Sequence, residues 1–151
     1  MKAVIQRCKS ATVTVGGRSV GVIGKVLLVL VGVAGEDCKE AAEILAKKTA
    51  SLRIFSDEND KMNLSVKDVG GAVLAVSNFT LCADTKKGTR PSYSGAMEPK
   101  MAKELYDYYC SLLEAEGIKV EKGVFGADMQ VDMRGDGPVT IILDTDIWLK
   151  R

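Results

Sequence analysis

The feature that most constrains the fold is the alternation of apolar and polar residues through the first third of the chain. "KAVIQRC" and "ATVTV" change character residue by residue, the period at which successive strand side chains point to opposite faces. Gly16 and Gly17 then supply a hairpin-turn signal. "RSVGVIG" leads into "VLLVLVGV", an apolar run too short to span a membrane and suited to a buried strand. A chain that begins in this way is committed to a sheet built on one long hairpin.

After residue 36 the period changes. Asp37 followed by Glu40 resembles a capping box, and Ala41, Ile44, Leu45, Thr49 and Leu52 mark one face of a helix. "GAVLAVSNFTL", residues 71–81, reads as a second buried strand. Pro99 suits the first turn of a second helix and Gly117 its C-terminal cap. Between them Ala102, Leu105, Tyr106, Tyr109, Leu112 and Leu113 recur at helical spacing, which assigns the two tyrosines to core packing. "IKVEKGVFG", "DMQVDM" and "VTIILD" read as closing strands. Gly137-Pro138 stands at the mouth of the last one. Proline cannot donate to a ladder, so the plain reading is a turn joining two hairpin arms.

Together these signals predict an α+β fold. A largely antiparallel sheet or open β-barrel carries two amphipathic helices in a single domain over residues 1–151. No repeat, low-complexity tract or linker interrupts it.

The strongest chemical constraint is that the chain contains no histidine. The usual general base, the usual triad and the commonest zinc ligand are thereby removed. No glycine fingerprint or Walker sequence marks a nucleotide phosphate loop. Neither a cofactor nor a metal is expected. The four cysteines, Cys8, Cys38, Cys82 and Cys110, form no C-x-x-C pair. The amino terminus lacks the features of a signal peptide, so reduced thiols, a cytoplasmic location and no membrane attachment are expected. Cys82 has no histidine to activate it and reads as an inert thiol. The net charge of +1 gives no global attraction for nucleic acid. Lys86, Lys87 and Arg90 surround Gly88 in "DTKKGTRP", and charge count alone makes this a solvated loop. "SNFTL", residues 77–81, ends a strongly apolar strand. Backbone N–H groups freed there suit an oxyanion hole. The alternative is a strand that simply turns polar as it surfaces.

The two stretches "SNFTL" and "GPVT", with "AVIQRC", "LRIFSDENDKMNLSVKDVGG", "ADTKKGTRPSYS" and "KVEKGVFGADMQV", resemble the D-aminoacyl-tRNA deacylases over essentially the whole chain. One departure is visible: the family's first motif carries glutamine where this chain has Asn78. The resemblance implies hydrolysis of the ester joining a D-amino acid, or wrongly attached glycine, to the terminal adenosine of tRNA, with L-aminoacyl-tRNA rejected. It implies catalysis by backbone groups and a ribose hydroxyl of the tRNA itself. It places Ser77, Phe79 and Thr80 at the catalytic pocket, with Asn78 beside them. Gly137 and Pro138 become a cis-peptide gate reaching into the pocket of the other subunit of a homodimer, braced by Arg7. Phe125 and Met129 become the wall for the adenine. Lys86, Lys87 and Arg90 become candidates for tRNA phosphate contacts. Three rivals are an editing module acting beside a synthetase, a non-catalytic RNA-binding domain, and a hydrolase using Cys82.

Overall fold

The computed structural model describes residues 1–149. Strand β1 (Lys2–Val15) turns at Gly16 and Gly17 into β2 (Arg18–Gly32), and helix α1 (Lys39–Ser51) follows. A small ribbon, β3 (Phe55–Ser56) with β4 (Met62–Leu64), precedes β5 (Ala72–Ser77) and a 3-10 turn (Phe79–Cys82). Helix α2 (Pro99–Ala115), β6 (Lys119–Lys122), β7 (Gln130–Asp144) and a short α3 (Asp146–Leu149) complete the described chain.

The main sheet is open and five-stranded, in the order β6-β5-β2-β1-β7. β1 pairs antiparallel with both β2 and β7, as the alternation predicts. The far half differs from the expected pattern, because β2, β5 and β6 run parallel. Each parallel step needs a crossover long enough to return the chain to the same edge, and α1 and α2 lie in those crossovers. Parallel order requires burial on both faces, and β5 is accordingly apolar throughout "AVLAV".

The two faces fill separate clusters. Ile5, Leu27, Val29, Val31, Val73 and Ala75 pack beneath the helices, against Leu45, Tyr106, Tyr109 and Leu113. Cys8, Ala11, Val13, Val26, Leu28, Leu74 and Val76 fill the concave side, where the long hairpin curls over. A bulge between Cys8 and Ser10 permits that curl. Truncating Leu113, fully buried under α2, should cost about 2–5 kcal/mol.

Two local expectations are corrected. Asp37 does not cap α1: its N-cap is Cys38, which makes no side-chain cap bond. The Asp37 carboxylate instead accepts from the Met1 ammonium and the Ala34 N–H, because a buried ammonium is a stronger donor partner than a helix amide. Nor do "DMQVDM" and "VTIILD" form two strands. They are one edge strand, β7, with Gly137-Pro138 inside it. The register with β1 shifts between Gln6 and Cys8, opposite the proline, so the missing N–H falls where the ladder is already broken.

Candidate active site

β2 and β5 end side by side, with Leu30 opposite Val76 and Val31 opposite Ser77. There the chain leaves the sheet, as it does at ligand sites of open parallel sheets. The Asn78 N–H still donates to Val31 O at 2.7 Å, after which Phe79–Cys82 coil into the 3-10 turn. Phe79 and Thr80 open that turn, and the first N–H groups of a helical turn have no intrahelical acceptor. Gly32 makes this close approach possible. A Cβ there would stand 2.9 Å from Leu81 Cβ and 3.1 Å from Asn78 O.

Beside the strand ends lies a mostly apolar cavity of about 790 Å3. Ser77, Asn78 and Phe79 form one side and Phe125 and Met129 another, so five of the residues expected at the site converge. Thr80 lies just outside, exposed, and its hydroxyl donates to Asn78 Oδ1 at 2.5 Å. With Oδ1 accepting from Thr80, the Asn78 amide nitrogen is the end of that side chain left to donate. Phe125 leans on the helix-side cluster and Met129 on the concave-side cluster, so the cavity opens where the two cores meet.

Other lining residues carry no clear signal in the sequence. Tyr106, whose helical spacing marks it as core, is buried, and it also lines the cavity. Its hydroxyl donates to Ala75 O at 2.9 Å, and its ring lies 5.9 Å from that of Phe125. Burial pushes its phenol far above the ordinary tyrosine range, so it stays protonated. Tyr93, Met97, Glu98 and Ala127 also line the cavity. Glu98 caps α2, accepting from the N–H groups of Lys100 and Met101. A Glu-Pro pair before a helical pattern was the signal that could have located it.

Gly137, Pro138 and Arg7 do not line this cavity. The Gly137-Pro138 peptide is cis, which is compatible with the expectation. Gly137 has φ +138°, and an added Cβ would meet Val139 N at 2.6 Å, so only glycine fits. Arg7, 12% exposed at its side chain, holds the adjoining backbone. Its Nε donates to Asp136 O at 3.1 Å, Nη1 donates to Ile54 O at 2.7 Å, and the Asp136 carboxylate stands 3.4 Å away.

Lys86, Lys87 and Arg90 sit exposed on a loop whose feet, Asp84 and Ser92, exchange backbone hydrogen bonds of 2.7 and 2.9 Å. Cys82 is half-buried, and burial raises its thiol above the ordinary value, which is the wrong direction for a nucleophile. Among the described residues no group of three or more cysteine, aspartate and glutamate side chains is placed to hold a metal ion. No described helix is long and apolar enough to cross a membrane.

Known proteins share this architecture and sequence. The family model described as D-Tyr-tRNA(Tyr) deacylase matches residues 4–144. A "D-aminoacyl-tRNA deacylase" of Koribacter versatilis is 57% identical over 145 residues, covering 96% of this chain and 97% of the relative. One of Bacillus licheniformis is 53% identical, covering 96% and 99%. Among solved structures, a "c-Myc DNA Unwinding Element Binding Protein" superposes with a TM-score of 0.89 at 38% identity, covering 95% of this chain and 98% of that one. A "probable eukaryotic D-amino acid tRNA deacylase" shares the fold, with a TM-score of 0.81 at 16% identity over 94% and 97%. The chain therefore belongs to the D-Tyr-tRNA(Tyr) deacylase family, hydrolases that cleave aminoacyl-tRNA ester bonds.

Proposed function

We propose that this chain removes D-amino acids, and glycine, from wrongly charged tRNA and spares L-aminoacyl-tRNA. The observation that carries the reading is the convergence of Ser77, Asn78 and Phe79 with Phe125 and Met129 around one apolar cavity beside freed strand ends. The terminal adenosine occupies the apolar part, against Phe125 and Met129. The ester carbonyl lies toward the 3-10 turn, where the N–H groups of Phe79 and Thr80 are the donors for a developing oxyanion. Water adds to the carbonyl carbon. The bond from that carbon to the ribose oxygen then breaks, and the ribose oxygen takes up a proton relayed by the neighbouring ribose hydroxyl of the tRNA. The products are the free amino acid and uncharged tRNA. An aminoacyl ester is already activated, so placement and charge stabilisation suffice without a histidine base.

Chiral selection is by exclusion. The enzyme acts as a homodimer in the cytoplasm, and the Gly137-Pro138 backbone of one subunit closes the cavity of its partner. An L side chain strikes that backbone, a D side chain points away, and glycine passes. Support comes from the separation within one chain: the segment held by Arg7 does not line the cavity that gathers the other expected residues. It also comes from the edge position of β7, where Ile142 and Met133 are exposed. Lys86, Lys87 and Arg90 contact tRNA phosphates.

One assay tests the reading. Purified protein is incubated with D-tyrosyl-tRNA and L-tyrosyl-tRNA, with and without alkylation of its thiols. Hydrolysis of the D-ester alone, unaffected by alkylation, is expected. Binding without release of amino acid would leave a tRNA-binding protein, and loss of activity on alkylation would bring back Cys82.

A further inference from the structure

Phe79 and Tyr93 meet edge to face, with ring centroids 5.1 Å apart and planes at 72°. Both line the mouth of the cavity, yet 59% of Phe79 and 40% of Tyr93 remain exposed. Such a pair normally gains its stability by leaving water, so rings held in this geometry while wet offer faces to something else. Their position says what. Phe79 opens the 3-10 turn that runs into Asp84, and Tyr93 directly follows Ser92. The pair thus stands at the two feet of the loop that carries Lys86, Lys87 and Arg90. Among the described residues none of those three cations has an ion-pair partner.

We propose that the Phe79–Tyr93 pair is a second nucleobase site, stacking the base that precedes the terminal adenosine while the loop cations meet the phosphates. The proposal rests on the deacylase reading, since a nucleoside seated in the cavity forces the rest of the strand out across its mouth. Aromatic faces beside a cationic track are the usual means of holding single-stranded nucleic acid, and stacking of this kind tolerates any base. Charge favours a polyanionic strand as the occupant, since three cations without ion-pair partners among the described residues stand beside the rings.

The test compares D-tyrosyl-tRNA with the minimal ester D-tyrosyl-adenosine, which lacks the preceding nucleotide. Tyr93→Ala should lower kcat/KM on the tRNA by about tenfold, mainly through KM, and should lower it on the minimal ester far less. Tyr93→Phe should restore the tRNA rate. Tyr93→Leu, which keeps an apolar side chain without a π face, should behave as Tyr93→Ala. Equal losses on both esters would place Tyr93 in the adenosine cavity alone and overturn the proposal. So would a change in oligomeric state of Tyr93→Ala by analytical ultracentrifugation, which would make the pair a subunit contact. If wild-type protein hydrolyses neither ester, the deacylase reading fails, and binding then decides the stacking site. A single-stranded trinucleotide ending in adenosine must bind more tightly than adenosine alone, and Tyr93→Ala must abolish that difference. Without that difference the stacking site is refuted as well.

Discussion

The cavity wall and the Gly137-Pro138 segment are both fixed, but by different means. The wall draws side chains from β2, β5, the 3-10 turn, α2 and the stretch before β7, and most of it, though not Phe79 of the 3-10 turn, belongs to elements packed in the two cores. The Gly137-Pro138 segment has little packing. It is held through its backbone, by the Arg7 guanidinium on Asp136 and by a glycine conformation that admits no side chain. A wall built from side chains can change its fit by substitution. A backbone surface cannot, and so it suits a task that must ignore which side chain is offered. On the proposed function, the contrast makes binding and chiral selection separable, with one subunit supplying only the first within its own cavity.

The sharpest way to break that contrast is Gly137→Ala. A Cβ at φ +138° and 2.6 Å from Val139 N displaces the segment or strains it by about 1–3 kcal/mol. The ratio of D- to L-tyrosyl-tRNA hydrolysis should fall by about ten- to a hundredfold, while binding of adenosine to the cavity is kept. A loss of adenosine binding in parallel would show the two regions to be one.

Next in size is the basic loop. Alanine at Lys86, Lys87 and Arg90 together should weaken tRNA binding and make the slope of log K against log salt shallower by about 2. The D-to-L ratio should not move. An unchanged slope would return the loop to plain solvent exposure.

A smaller effect is expected at Thr80, whose hydroxyl is spent on Asn78 Oδ1. Thr80→Ala should lower kcat less than about tenfold, because loss of a covalent nucleophile costs several orders of magnitude. A folded, tRNA-binding and inactive Thr80→Ala protein would refute backbone catalysis.

The smallest effect concerns the buried and half-buried thiols, Cys8, Cys82 and Cys110. Burial raises Cys8, Cys82 and Cys110, the last to about 12. The folded chain then holds protons that the unfolded chain has released. The stability tied to them is complete below the ordinary thiol value of 9.0 and is lost as pH rises towards the folded values. Denaturation midpoints should be nearly unaffected by the thiols between pH 6 and 8 (about one to three units below that value) and decline above about 9, less steeply in Cys110→Ala.

Much of this was legible in the sequence because the signals were local. Alternation located β1 and β2, and Pro99 and Gly117 bracketed α2. The parallel half of the sheet was not legible, since a buried apolar run such as "AVLAV" has no direction written in it. The site divided in the same way. Ser77, Asn78 and Phe79 stood out as polar and aromatic residues ending an apolar strand, whereas Tyr106 looked like core and is core, with one edge turned to the cavity. Gly137-Pro138 looked like a turn because proline and glycine usually punctuate strands. Here they sit inside one, at an edge where a missing donor costs little.

Subunit mixing tests the cross-subunit gate most directly. Two variants are prepared: Gly137→Ala, with a spoiled gate and a sound cavity, and Ala127→Trp, with a filled cavity and a sound gate. Hydrolysis of L-tyrosyl-tRNA and D-tyrosyl-tRNA is measured for each alone, then after unfolding and refolding the two together in equal amounts. If the gate serves the partner, half of the sound cavities in the mixture face a sound gate, and L-ester hydrolysis should fall to about half that of the same amount of Gly137→Ala alone while D-ester hydrolysis is kept. If L-ester hydrolysis does not fall, the gate works within its own subunit, and the separation of binding from selection is contradicted.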